Sequence, residues 1–224
     1  MMKRYMDNLR NVSLFATLNE KDMEVVSKII FVNTYSKGEV VFQEGEKGDS
    51  LYIILKGQVK VCLYDEDGRE YILAAIGKDG FFGELALIDE LPRSANAITL
   101  ENSELLIIRR HDFTRLLMEN PTITIAILKV LSRRLRETDE RIRWLAFLSV
   151  EGRILKYLLG VGEKEGVKVK DYIIIEKGPT QIDIASSCGC SRETVSRMIK
   201  SLVKKGILSV RKRQYTLNAV PPTF

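Results

Sequence analysis

The 224-residue sequence predicts an α+β chain in three parts: an N-terminal antiparallel β-roll of the jelly-roll kind over residues 1–115, a long helix within 116–149, and a winged helix-turn-helix over 150–224. Three observations carry this expectation. Glycines at 38, 45, 48, 57, 68, 77, 80 and 83 divide residues 34–110 into short apolar or alternating runs, as in folds with many short strands. Leu128, Leu131, Leu135, Thr138, Ile142 and Leu145 recur three and four residues apart, which lines one face of a helix. Residues 180–200, TQIDIASSCGCSRETVSRMIK, read as two short helices joined at Gly189.

The first element is a helix over residues 14–30, with Asn19 or Thr17 as its cap. Strands follow at 40–42, 51–55, 58–64, 71–76 and 104–108, and Asp65-Glu66-Asp67-Gly68 is a hairpin turn. The apolar seam extends a single helix over 123–148 and fits a parallel two-stranded coiled coil, hence a homodimer; packing of the seam on its own domain is the alternative. Residues 149–152, Ser-Val-Glu-Gly, break this helix and form a hinge.

In the C-terminal part, Thr180 and Asp183 have the spacing of a capping box. Ile182, Ile184 and Ala185 form the apolar side of the first helix, Gly189 turns the corner, and Ser191 caps the second helix. Val195, Ile199 and Leu202 give that helix one inward stripe, while Arg192, Glu193, Ser196, Arg197 and Lys200 lie opposite. Arginine can donate two bonds to guanine and glutamate can accept from cytosine, so this face fits base edges in a major groove. Ser191 and Thr194 suit phosphate contacts at the helix start. From Thr180 onward eight lysines and arginines face two acids, a net +6 against +5 for the whole chain, so the polyanion partner belongs to this part alone. Residues 206–217 read as a hairpin with Arg211, Lys212 and Arg213 at its tip, a wing for phosphate contact.

Composition excludes several function classes. The polar start of the chain does not resemble a secretory signal, and no run is long enough to span a bilayer, so the expected location is cytoplasmic. Three cysteines argue against a disulfide framework, and Cys188 and Cys190 lack the further cysteine pair or nearby histidine that a zinc site needs; packing at the helical corner is their expected role. His111 is the single histidine and reads as a surface or capping residue, which leaves no material for a metal-dependent barrel enzyme or a Ser-His-Asp triad. No enzyme activity and no cofactor are expected.

Within the β-roll, Phe82-Gly83-Glu84-Leu85-Ala86-Leu87 is followed by Pro92-Arg93-Ser94-Ala95. A glycine lets backbone amides approach an anion, an arginine grips phosphate through two bonds, and a serine adds a hydroxyl donor. Glu84 suits a ribose hydroxyl, so the set fits a sugar phosphate. The alternative is a surface turn in which Glu84 and Arg93 pair with each other.

These residues carry a resemblance. FGELALIDELPRSA resembles the phosphate-binding cassette of cyclic-nucleotide-binding domains, and CSRETVSR resembles the recognition helix of the CRP/FNR family of bacterial transcription regulators. RRLRETDERIRWLAFLSVEGRI is similar to that family's central helix and its passage into the DNA-binding domain. The resemblance covers nearly the whole chain. It implies a ligand-gated homodimer with double-stranded DNA, a cyclic nucleotide and RNA polymerase as partners. It implies that Gly83, Glu84, Leu85, Arg93 and Ser94, with Arg134, Thr138 and Asp139 of the central helix, bind the nucleotide. It also implies that Arg192, Glu193 and Arg197 read a TGTGA-like half-site, with Thr180, Gln181, Ser191, Thr194 and Lys200 as further DNA contacts. Thr138 matches the threonine that meets the purine, but Asp139 stands where the family's cyclic-AMP activators have serine. A carboxylate can accept from an adenine amine or from guanine N1 and N2, so cyclic AMP is the expected effector and cyclic GMP the alternative. A constitutive regulator with a vestigial pocket is a further alternative. Iron-sulfur and haem sensing are not supported, for want of an N-terminal cysteine group and a suitably placed histidine.

Overall fold

The computed structural model describes residues 9–12, 14–16 and 18–218. The chain divides into two compact units with the boundary between Arg136 and Glu137.

In the first unit, helix α1 (Glu20–Ile29) leads into strands β1 (Ile30–Tyr35), β2 (Val40–Phe42), β3 (Ser50–Lys56), β4 (Val59–Tyr64), β5 (Glu70–Ile76) and β6 (Phe81–Phe82). The short helix α2 (Leu85–Ile88), β7 (Asn96–Thr99), β8 (Ser103–Arg109), helix α3 (Arg110–Glu119) and the long helix α4 (Pro121–Phe147) follow. Two four-stranded antiparallel sheets form, in the orders β1-β8-β3-β6 and β2-β7-β4-β5. Strand β3 is apolar at nearly every position because both its faces are covered. Leu51, Ile53 and Leu55 pack with Met23, Val26, Phe113 and Ile127 from the helices, whereas Tyr52 and Ile54 pack with Phe42, Val59 and Ala97 of the other sheet.

The expected strands at 40–42, 51–55, 58–64, 71–76 and 104–108 all form, and so does the Asp65–Gly68 turn, where the Asp65 carboxylate accepts from the amides of Asp67 and Arg69. The helix expected over 14–30 is shorter. Leu14, Phe15 and Leu18 are buried but lie in turns, with Phe15 N bonded to Val12 O and Leu18 N to Phe15 O. The helix starts at Asn19, whose side chain accepts from Asp22 N at 3.0 Å, and Ile30 already opens β1. Thr17, the other candidate cap, lies outside the described residues. Sequence reading also missed β6 and β7, two- and four-residue strands too short to show a period of their own.

The second unit takes in the end of α4 and continues through α5 (Val150–Glu165), β9 (Val167–Val169), β10 (Tyr172–Ile175), α6 (Gln181–Cys188), α7 (Arg192–Lys204), β11 (Leu208–Arg211) and β12 (Gln214–Asn218). Its sheet has the order β11-β12-β10-β9. Ile154 and Leu158 of α5, Ile184 of α6, and Val195, Ile199 and Leu202 of α7 share one core with Ile175, Tyr215 and Leu217. The expected inward role of Ile182 is corrected: it is 59% exposed, because the helical period turns Ile184, Ala185 and Cys188 to the core and leaves Ile182 outside. Among the described residues no helix is long and apolar enough to cross a membrane.

Leu202 is fully buried where α7 meets α5 and the sheet, so Leu202→Ala should cost about 2–5 kcal/mol. Urea unfolding followed by a probe in the second unit checks this value.

Candidate functional site

At the end of β6 the chain turns through Gly83 at φ +84°, and Glu84 then starts α2. A Cβ on Gly83 would lie 2.8 Å from Arg93 Nη1 and 3.2 Å from Ser50 O, so this position needs glycine on steric and conformational grounds. Arg93 is only 4% exposed. Its Nη1 donates to Gly83 O and its Nη2 to Ser50 O, both at 2.7 Å, and its guanidinium lies 4.2 Å over the Phe42 ring. Burial lowers its pKa, opposed by Tyr52 and Asp49, yet an arginine stays charged. Among the described residues no carboxylate forms an ion pair with it.

Glu84 is 2% exposed, and its Oε1 accepts from Arg134 Nη1 at 2.7 Å. Its Oε2 is buried without a hydrogen-bond partner. Arg134 also donates to Phe81 O and lies over the Phe81 ring. A surface Glu84–Arg93 pair does not form; both groups are buried and each has other partners. The fold therefore brings together a glycine-lined turn, a buried cation lacking a carboxylate, and a buried carboxylate oxygen lacking a donor. That combination can take a ligand with an anion and a neighbouring hydroxyl.

The remaining cassette residues are more open: Leu85 is 44% exposed and Ser94 is exposed. Thr138 and Asp139 are exposed residues of α4, and Thr138 follows Arg134 by four residues. Sequence reasoning missed the aromatic wall of Phe42, Tyr52 and Phe82, and also Arg110, which donates to Gly48 O and Ala86 O and so braces the turn. No local motif marks those residues.

In the second unit the predicted caps form. Thr180 Oγ1 accepts from Asp183 N while Asp183 Oδ2 accepts from Thr180 N, completing the capping box. Gly189 takes φ 60°, ψ 51°, the left-handed conformation that ends α6. Ser191 caps α7 by accepting from Thr194 N. Val195, Ile199 and Leu202 are buried, whereas Arg192, Glu193, Arg197 and Lys200 are exposed and Ser196 is half-buried. Thr180 and Ser191 are exposed, and Gln181 and Thr194 half-buried, at the starts of the two helices.

Arg211, Lys212 and Arg213 at the hairpin tip are all exposed, and Arg213 also donates twice to Gly178 O, at 2.9 and 2.7 Å, which ties the wing to the segment before α6. Cys188 lies in the core of the second unit and Cys190 packs against it, and burial pushes the Cys188 thiol up to about 12 and raises Cys190. His111 is exposed.

Residues 32–120 match the model of the cyclic nucleotide-binding domain, and residues 152–220 match that of the Crp-like helix-turn-helix domain. The chain is 32% identical over 198 residues to the CRP-like cAMP-activated global transcriptional regulator of Mycobacterium tuberculosis, with 88% of each chain covered. It is 34% identical over 186 residues to the cAMP-activated global transcriptional regulator CRP of Salmonella typhimurium, covering 80% of this chain and 85% of that one. It is similar in structure to the c-di-GMP responsive global regulator CLP of Xanthomonas campestris, with a TM-score of 0.78 and 27% identity, covering 90% of this chain and 100% of that one.

Gly189→Ala places a Cβ in a left-handed corner and should cost about 1–2 kcal/mol. The check is a lower urea midpoint for the second unit with an unchanged slope.

Proposed function

Because the chain belongs to the CRP/FNR family of transcription regulators, we propose that it acts as a homodimer whose affinity for a palindromic TGTGA-like site is raised by cyclic AMP. The observation that carries this reading is the pairing of the buried, carboxylate-free Arg93 with the unpartnered Glu84 Oε2 on either side of Gly83. A cyclic phosphate supplies the anion that Arg93 lacks, and the ribose 2′-hydroxyl supplies the donor that Glu84 lacks. Arg134 would orient Glu84 through the bond it already makes. Leu85 and Ser94 would close on the nucleotide, and Thr138 and Asp139 would meet the base.

Dimerisation is supported by the seam of α4. Leu128, Leu135, Ile142 and Leu145 are 57%, 63%, 58% and 45% exposed, an apolar stripe that favours a second helix over solvent. Two copies would present two α7 helices to successive major grooves, where Arg192, Glu193 and Arg197 read bases. Thr180, Gln181, Ser191, Thr194, Lys200 and the wing residues Arg211 and Lys212 would hold phosphates. To move such a dimer from mostly inactive to mostly active, the nucleotide must prefer the active state by about 5 kcal/mol. RNA polymerase is the partner through which a bound dimer would act on transcription.

Asp139 favours a second reading for the effector, since its carboxylate can accept two bonds from guanine N1 and N2. Fluorescence anisotropy on a palindromic TGTGA duplex at fixed salt, with no ligand, cyclic AMP, cyclic GMP or cyclic di-GMP, separates the readings. Tightening by cyclic AMP is the expected result. Tightening by another nucleotide alone would reassign the effector, and tight binding without response to any of them would make the regulator constitutive.

Two variants sharpen the assignment. Arg93→Ala should weaken nucleotide binding by about 2 kcal/mol or more while leaving non-specific DNA affinity nearly unchanged, read by calorimetry and anisotropy on the same samples. Asp139→Ser should keep the cyclic AMP response; its abolition would make the carboxylate a required contact.

A further inference from the structure

The first turn of α5 grips both helices of the DNA reader through charged side chains. Ser149 caps this turn by accepting from Gly152 N at 3.2 Å. Arg153 Nε then donates at 3.1 Å to Cys188 O, the last carbonyl of α6. Glu151 reaches the opposite end of the motif: its Oε2 accepts from Ser201 Oγ at 2.9 Å, and its Oε1 accepts from Lys205 Nζ. Ser201 lies in the last turn of α7, and Lys205 is that helix's C-cap. The Glu151 side chain is 18% exposed, and the Lys205 hydrogen bond, aided by Ser201, holds its carboxyl below the ordinary range against the effect of burial.

We infer that Glu151 is a positioning residue for DNA reading: by clamping Ser201 and Lys205 it sets the angle of α7 on α5. Lys205 serves this clamp and is not a phosphate contact. This rests on the assignment of α7 as the recognition helix. Two features support it. Apolar packing of Ile154, Leu158 and Leu202 holds α5 against α7, and a carboxylate bridging two donors adds a directional constraint at the C-terminal end of α7. An acid beside the basic end of a DNA-reading helix also opposes polyanion binding, so its presence calls for a structural return.

The test uses the full-length protein and a duplex that the wild type itself enriches from a randomised pool. Glu151→Ala raises the net charge by one, so electrostatics alone would tighten DNA binding. The clamp predicts the opposite, a fall in affinity for the selected duplex of about 3- to 30-fold. Lys205→Met should produce the same fall with the salt slope unchanged, and the charge swap Glu151→Lys with Lys205→Glu should recover most of it. The inference is overturned if Glu151→Ala binds the selected duplex as tightly as wild type. It is equally overturned if Lys205→Met lowers the salt slope by about one and weakens all duplexes alike, as loss of a phosphate contact would. Enrichment of no sequence by the wild type, whether without nucleotide or with cyclic AMP, cyclic GMP or cyclic di-GMP, would sink the DNA-reading assignment instead. The clamp would then stand or fall on a Glu151–Lys205 double-mutant cycle in urea, where zero coupling refutes it.

Discussion

The guanidinium of Arg93 is the group on which the proposed ligand site of the first unit depends above all. It is buried against Phe42, bonded to two carbonyl oxygens, and paired with no carboxylate among the described residues. Taking a cation out of water is costly unless an anion meets it, and carbonyl dipoles return only part of that cost. The neighbourhood is shaped to hold the group in place. Gly83 and Gly48 make room for it, since a Cβ on either would come within about 3 Å of the guanidinium. Arg110 braces the loop beneath by binding Gly48 O and Ala86 O. A buried guanidinium held in this way is the feature from which the proposal of an anionic ligand starts.

Glu84 supplies the complementary half. One carboxylate oxygen is engaged by Arg134, which fixes the side chain, and the other has no donor within the protein. Arg134 comes from α4, the helix whose next turns carry Thr138 and the exposed apolar seam. The group that orients the carboxylate proposed to meet the sugar thus belongs to the helix proposed to dimerise. In the proposed reading, ligand contacts at Glu84 and packing along α4 would therefore meet on one helix, so that each could bias the other.

Much of this was legible in the sequence, for identifiable reasons. Caps and corners are local: Thr180 with Asp183, Ser191, and Gly189 each encode their own hydrogen bond or dihedral, and all three form as read. The α7 stripe of Val195, Ile199 and Leu202 is equally local because it follows the helical period. What escaped was non-local. Phe42, Tyr52 and Arg110 reach the cassette from strands and a helix distant in sequence, so no spacing marks them. The run 14–30 reads as one helix because apolar residues recur at both its ends, whereas the Asn19 cap and the start of β1 at Ile30 cut it short. The bond from Arg213 to Gly178 O is likewise non-local, so the charge run at the tip does not mark it.

That last case and Lys205 make one point about basic surfaces. The eight lysines and arginines after residue 179 were read from sequence as a single electrostatic footprint, yet two of them are directed at the protein itself. Arg213 ties the wing to the approach of α6, and Lys205 ties the end of α7 to α5. Both bonds tie down elements around α6 and α7, although Lys205 and Arg213 are themselves exposed, like Arg192, Arg197, Lys200, Lys204, Arg211 and Lys212. Net charge measures how strongly such a module is drawn to a polyanion. Under the proposed clamp, which bases it reads would depend also on the cations bonded to the protein itself, because they fix the backbone from which the reading side chains extend.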